Sequence, residues 1–179
     1  MKIVILDRDG VINEDSPDYI KSVSEWQPIA GSLEAIARLH QAGYRVFVAT
    51  NQAGLGRGLF DYDSFSAIND RMQKQLAELG GRIDGIFFAP EHPDQATPRR
   101  KPGPGMLLDI AKRLNISVEN VPMVGDSWRD IQAARAAGAR PVLVRTGNGR
   151  DTEKQHASEL AGTPVYDSLA EFATALLHP

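Results

Sequence analysis

Short runs of β-branched and aromatic residues alternate along this chain with longer stretches in which Leu, Ile, Ala and Met recur at helical spacing. Ile3-Val4-Ile5-Leu6, Tyr44-Arg45-Val46-Phe47-Val48-Ala49, Ile83-Asp84-Gly85-Ile86-Phe87-Phe88, Val121-Pro122-Met123-Val124 and Pro141-Val142-Leu143-Val144 read as short buried strands. Between them, residues 32–42, 62–79, 105–114 and 129–137 carry the periodicity of helices with one apolar face. Gly43 and Gly138 fall where helices should stop, and Ser168-Leu169-Ala170-Glu171 is a capping box that announces a last helix. Strand and helix in alternation, with short connections, predict crossover units on a mostly parallel sheet. The expected fold is α/β: a doubly wound, Rossmann-like parallel sheet in a three-layer α/β/α sandwich. No repeat, low-complexity tract or linker divides the chain, and no insertion is long enough for a separate cap domain. One domain spanning 1–179 is therefore expected.

Composition narrows the class. A chain of 179 residues with 42% hydrophobic and 24% charged residues suits a folded globular protein rather than a disordered one. A net charge of −3 offers no electrostatic footprint for nucleic acid. No apolar run approaches the roughly 20 residues of a membrane span. The N-terminus opens on a strand without a signal-peptide pattern. There is no cysteine, which excludes disulfides and thiolate metal sites and fits a reducing cytoplasm. A cytoplasmic monomer acting on a small molecule, without nucleic acid or membrane partners, is expected.

Chemistry gathers at the strand ends. The first strand runs into Asp7-Arg8-Asp9-Gly10, so two carboxylates stand two residues apart at the carboxyl edge of the sheet, where open α/β folds place ligands. Carboxylates this close repel each other and call for a hard cation with oxygen ligands, Mg²⁺ above others. An EF-hand loop fits poorly, because it needs a third acidic or amide position before its glycine and has no leading strand. The second strand is followed by Thr50-Asn51-Gln52 and the fourth by Gly125-Asp126-Ser127-Trp128-Arg129-Asp130, while Arg100-Lys101-Pro102 precedes a helix. Taken singly, each has a bland explanation as a turn, a solvated basic residue or a helix cap. Gly54, Gly56 and Gly58 lack the spacing of a nucleotide loop. Together, on successive strand ends of one parallel sheet, Asp7, Asp9, Thr50, Lys101 and Asp126 can converge, with carboxylates for a metal and a hydroxyl and an amine for phosphoryl oxygens.

The ordered set Asp7-Arg8-Asp9-Gly10-Val11, Thr50-Asn51, Lys101-Pro102 and Gly125-Asp126 with Asp130 resembles the haloacid dehalogenase-like phosphatase superfamily, over residues 3 to about 138. Asn13 after the first motif, Gln52-Ala53-Gly54 with Arg57-Gly58, and Arg100 resemble its sugar bisphosphate phosphatase branch, allied to the histidinol-phosphate phosphatases. The resemblance implies Mg²⁺-dependent removal of the 7-phosphate of a heptose 1,7-bisphosphate on the way to lipopolysaccharide. Histidinol-phosphate or general sugar phosphatase activity is the alternative. A phospho-accepting receiver domain is remote, because the third strand ends in Phe87-Phe88-Ala89 without an acceptor aspartate.

What the resemblance implies for individual residues follows. Asp7 is the nucleophile, and Asp9 is the acid and base, with a pKa expected to sit high beside Asp7. Thr50 and Lys101 bind the phosphoryl oxygens, and Asp7, the Asp9 carbonyl and Asp126 hold the metal. Asp130 ligates metal through water or orients Lys101. The substrate-binding candidates are Asp15, Asn51, Gln52, Arg57 and Arg100, the last for the second phosphate, with substrate loops at 13–26, 51–57 and 89–100. Relatives in this branch carry a structural zinc on a Cys-x-His and Cys-x-Cys loop. Here Ala89, Glu91, Thr97 and Arg99 stand in that loop, so no structural zinc is expected, and Pro90, Pro93 and Pro98 are expected to order it.

Overall fold

In this computed structural model, which describes residues 1–95 and 97–178, six strands form a wholly parallel sheet. They are β1 (Lys2–Leu6), β2 (Tyr44–Asn51), β3 (Gly85–Ala89), β4 (Pro122–Gly125), β5 (Arg140–Val144) and β6 (Val165–Tyr166), ordered β3-β2-β1-β4-β5-β6. The helices are α1 (Ser32–Gln41), α2 (Ala53–Gly56), α3 (Tyr62–Glu78), α4 (Gly105–Leu114), α5 (Trp128–Ala137), α6 (Gly149–Gln155) and α7 (Leu169–Leu177). Ala96, inside the expected substrate loop 89–100, and Pro179, the last residue of the expected single unit, lie outside the described residues.

The alternation of β1 builds both layers. Val4 and Leu6 join a core with Ile36 and Leu39 of α1, Ile68 and Met72 of α3, and Phe172 of α7. Ile3 and Ile5 face the opposite way, into a core with Met106 and Ile110 of α4 and Ala134 of α5. Buried on both faces, β1 has no polar side, as a central parallel strand requires. Among the described residues no helix is long and apolar enough to cross a membrane.

The predicted elements are present with ends shifted by a residue or two, and three were not predicted. β2 runs on through Thr50 and Asn51, which pair in register with Phe88 and Ala89 of β3, so these are its last residues and not a turn after it. β6, with two residues, is too short to show a period, and α6, GRDTEKQ, has no apolar stripe. The four residues of α2 form one turn after β2. At α7 the Ser168 hydroxyl accepts the Glu171 N–H at 3.2 Å, as its box predicts. The Glu171 carboxylate, however, takes the N–H of Asp167 and not that of Ser168.

Candidate active site

β1 sits between β2 and β4, where the chain's strand order reverses. The crevice at the carboxyl end of such a switch point is open to a ligand because the crossovers leave it in opposite directions. Asp7 leaves β1 there, its N–H still bonded to the Val124 carbonyl at 2.9 Å, and Asp126 leaves β4 beside it. They line a cavity of about 320 Å³ together with Asp9, Thr50, Lys101 and Asp130.

Lys101, 2% exposed, organises the floor. Its ammonium lies 2.6 Å from Asp130 Oδ1 and 3.0 Å from Asp7 Oδ1, and donates to the Ala49 carbonyl at 2.8 Å, which accounts for its three protons. Asn51 clamps the backbone of the same residue, donating from Nδ2 to the Lys101 carbonyl at 2.9 Å and accepting its N–H at 3.0 Å. Asp130 Oδ2 accepts from the N–H groups of Asp126 and Ser127 at 3.1 and 3.0 Å and from the Ser127 hydroxyl at 2.8 Å. This is the capping box of α5 turned to a second use. Gly125 is required because the Asp130 side chain folds back onto it, where any β-carbon would collide. Gly10, at φ +86°, likewise has its missing β-carbon replaced by the Asp126 carboxylate.

Charge is unevenly shared. Burial and the neighbouring Asp130 push the Asp7 carboxyl well above the usual range, and Lys101 only partly offsets them. Burial and Asp130 raise Asp126 to about 7. Asp130 itself is lowered: burial would raise it, but the charge and hydrogen bond of Lys101 prevail. Lys101 is raised, because Asp130 and Asp7 outweigh its burial. Lys101 therefore serves chiefly Asp130, and Asp7 and Asp126 are left short of positive charge.

That deficit is what a cation would fill. One oxygen each from Asp7, Asp126 and Asp130 lies within 4.8 Å of the others. Asp130 is saturated by protein donors, so Asp7 and Asp126 are the carboxylates free to hold a hard ion such as Mg²⁺. The Asp9 carbonyl accepts no backbone hydrogen bond among the described residues and is available as well. Asn148 holds Asp126 from behind, donating its N–H at 2.8 Å and its amide at 3.2 Å to Oδ2.

Asp9 corrects an expectation. Its Oδ1 accepts from Arg8 Nε and Asn13 Nδ2, both at 2.9 Å, and its Oδ2 from Gln52 Nε2 at 3.0 Å. Burial would raise this carboxyl, but the charge and hydrogen bond of Arg8, with those of Asn13 and Gln52, bring it below the ordinary value. The raised group of the pair is Asp7, since Asp9 owns three donors and Asp7 shares one lysine with Asp130.

The expected substrate residues divide. Asp15 and Arg100 stand on the cavity wall. Asn51 also lines it, with its amide committed to Lys101. Gln52 is buried behind Thr50 and Asp9, donating to both at 3.0 Å. Arg57 is exposed outside the lining, its guanidinium 5.9 Å from the ring centre of Tyr19. Tyr19, held at φ 65°, lines the wall within the expected loop 13–26, whereas the wall residues Arg129 and Asn148 were not singled out from the sequence. Arg129 was within reach, lying between Asp126 and Asp130. Asn148 follows β5, whose end opens on the same edge as the others. Burial and then the like charges of Arg129 and Arg57 lower the pKa of Arg100, against the opposing effect of Tyr19 and Glu91.

Comparison with known proteins places these features. The HAD-hydrolase-like family model matches residues 98–172. D-glycero-β-D-manno-heptose-1,7-bisphosphate 7-phosphatase of Bordetella bronchiseptica is 52% identical over 99% of this chain and 98% of its own. The enzyme of that name from Pseudomonas putida is 48% identical over 99% of this chain and all of its own. The crystal structure of the B. bronchiseptica D,D-heptose 1,7-bisphosphate phosphatase complexed with magnesium and phosphate superimposes with a TM-score of 0.96, at 53% identity over 99% and 98% of the two chains. That of the Burkholderia thailandensis D,D-heptose 1,7-bisphosphate phosphatase gives 0.78 at 46% identity, over the whole of both chains.

Proposed function

The chain belongs to the haloacid dehalogenase-like phosphatases, and we propose that within them it hydrolyses the 7-phosphate of D-glycero-β-D-manno-heptose 1,7-bisphosphate with Mg²⁺ as cofactor. One observation carries this beyond the family. A single cavity holds the Asp7, Lys101 and Asp126 cluster on its floor and two guanidinium groups, Arg100 and Arg129, on its wall. Two guanidinium groups beyond Lys101 in the same cavity fit a substrate with a second phosphate.

The residues take their roles from geometry. Asp7 Oδ1 is occupied by Lys101 and by the Arg8 N–H at 2.7 Å, whereas Oδ2 accepts no hydrogen bond among the described residues. Oδ2 is the oxygen that attacks phosphorus in line, forming an aspartyl-phosphate as the ester P–O bond breaks. Asp7, Asp126 and the Asp9 carbonyl would hold Mg²⁺, which would supply positive charge against the anionic phosphate. The Thr50 hydroxyl, whose own contact to the Asn51 carbonyl is long at 3.4 Å, binds one equatorial phosphoryl oxygen, and Lys101 turns to another the proton it shares with Asp7 Oδ1. Asp9 gives a proton to the departing sugar oxygen and then takes one from the water that hydrolyses the aspartyl-phosphate. Its resting ionised form suits the second step. For the first, Asp9 takes up a proton from solvent water as the phosphate approaches, because that negative charge raises its proton affinity. All of these groups come from one chain, which supports a single domain over 1–179 whose active site needs no residue from a partner subunit.

Release of inorganic phosphate across a panel holding the α and β heptose 1,7-bisphosphates, histidinol phosphate and hexose monophosphates tests the function. The β-heptose bisphosphate should have the highest kcat/KM, with the 7-phosphate released. Preference for histidinol phosphate or a monophosphate would overturn the assignment.

A further inference from the structure

Arg8 is the largest of the fully buried side chains, lies between two reactive aspartates, and has no part in the chemistry above. Its Nε donates to Asp9 Oδ1 at 2.9 Å, and its guanidinium sits 5.8 Å from the ring centre of Phe65 on α3. Nη1 and Nη2 are buried without a protein partner. Burying a guanidinium for one ion pair and leaving two nitrogens unbonded is a poor route to stability, since an apolar side chain of similar volume would pack there at less cost. Nor does the phosphate reach it, because Arg8 is 0% exposed and does not line the cavity. Its contact with the reaction is the Asp9 carboxylate. Arg8 and Asn13 fix Oδ1, and Gln52 approaches Oδ2, so the carboxylate plane is set from three directions while its edge stays open to the cavity.

We propose that Arg8 is a positioning residue that holds the Asp9 carboxyl in line with the leaving oxygen, so that its proton passes to that oxygen as the P–O bond breaks. The proposal rests on the assignment of Asp9 as the acid.

The test is the dependence of kcat/KM on the leaving group, because kcat/KM reports the steps up to formation of the aspartyl-phosphate. A sugar alkoxide needs a proton to depart, whereas 2,4-dinitrophenolate does not. In Arg8→Met, kcat/KM for the heptose bisphosphate should fall by about 10²-fold, while that for 2,4-dinitrophenyl phosphate stays within about threefold of the parent. Arg8→Lys, which keeps the buried charge, and Asn13→Ala, which removes the other donor to Oδ1, should shift the ratio in the same direction by less. They carry the test if Arg8→Met does not fold. Loss of both substrates in equal proportion in the variants that fold would overturn the proposal. Asp9→Asn is the control: if it shows no leaving-group selectivity, the assignment of Asp9 as the acid fails. If it does and the Arg8 and Asn13 variants do not, only the proposal for Arg8 fails.

Discussion

Asp130 holds the Lys101 ammonium at 2.6 Å, closer than the 3.0 Å at which Asp7 meets it. The second carboxylate thereby keeps the lysine beside the nucleophile without letting it neutralise the nucleophile fully. Replacing it with an amide removes the charge that holds the ammonium and leaves one acceptor oxygen in place of two, so that an NH2 group faces either Lys101 or the Asp126 and Ser127 N–H groups. Asp130→Asn should therefore lower kcat by at least about tenfold and cost about 3–5 kcal/mol of stability, the usual penalty for breaking a buried pair. Steady-state kinetics and denaturant unfolding on one preparation check both. Parent-like kcat in a folded Asp130→Asn protein would show that Lys101 does not need this anchor.

The raised pKa of Asp126, about 7, links metal, protons and stability. A carboxyl that holds its proton more tightly folded than unfolded stabilises the fold fully below its unfolded value near 4, and that contribution is lost as pH rises through about 7. Asp7, raised as well, acts with the same sign. Asp9 and Asp130 are lowered, so their contributions change only below the ordinary carboxylate value and leave this window alone. Metal-free protein should thus melt at a higher temperature at pH 5.5 than at pH 7.5. Mg²⁺, which competes with those protons, should raise the midpoint much more at pH 7.5 and should release protons on binding. Calorimetry in buffers of different ionisation enthalpy measures the release. A Mg²⁺ affinity independent of pH from 5.5 to 7.5 would remove Asp7 and Asp126 from the site.

Much of this was legible in the sequence, for physical reasons. A central parallel strand is apolar on both sides, so the end of Ile3-Val4-Ile5-Leu6 and its acidic continuation stand out. In a parallel sheet every strand end then points to the same edge, which is how Asp7, Thr50 and Asp126 could be brought together from distant positions. The distribution of charge among them was not legible. Which of Asp7 and Asp9 is raised depends on Arg8, Asn13 and Gln52 converging on Asp9 and on Asp130 claiming Lys101. These are distances, and no local pattern encodes them. The resemblance makes Asn51 and Gln52 substrate-binding candidates; that in the fold their amides hold Lys101 and Asp9 depends on contacts distant in sequence.

Arg129 offers a sharper test of substrate choice than Arg57, which is exposed and outside the cavity lining. A wall arginine that meets the second phosphate makes a charge-assisted contact with the bisphosphate alone. Arg129→Ala and Arg100→Ala should each raise KM for the heptose bisphosphate by about tenfold or more, leaving kcat/KM for p-nitrophenyl phosphate nearly unchanged. Equal losses on the two substrates would assign these guanidinium groups to the reacting phosphate or to the fold.

The last prediction concerns the loop before Lys101. Relatives in the branch that the motifs resemble close this loop with a zinc ion, and the corresponding positions here include Ala89, Glu91, Thr97 and Arg99. The structure shows another closure. The Thr97 hydroxyl donates to Glu91 Oε1 at 3.1 Å, and Arg99 reaches inward to the Phe88 carbonyl at 2.9 Å and to Asp109 of α4 at 3.1 Å. His92 Nδ1 already accepts the Asp94 N–H at 3.1 Å. Phe88 meanwhile packs on Phe65 of α3, with ring centres 4.7 Å apart, and anchors the start of the loop. Direct side-chain bonds stand where a metal cross-link would be, and a tetrahedral zinc needs four ligands that such a set does not offer. Purified protein should hold far less than one equivalent of zinc, and a zinc-selective chelator should leave its unfolding midpoint unchanged. Arg99→Ala should lower stability by about 1–2 kcal/mol, the worth of a charge-assisted hydrogen bond with its packing. Stoichiometric zinc located within residues 89–100 by anomalous scattering, with a chelator-dependent fall in the midpoint, would show instead that a metal closes the loop.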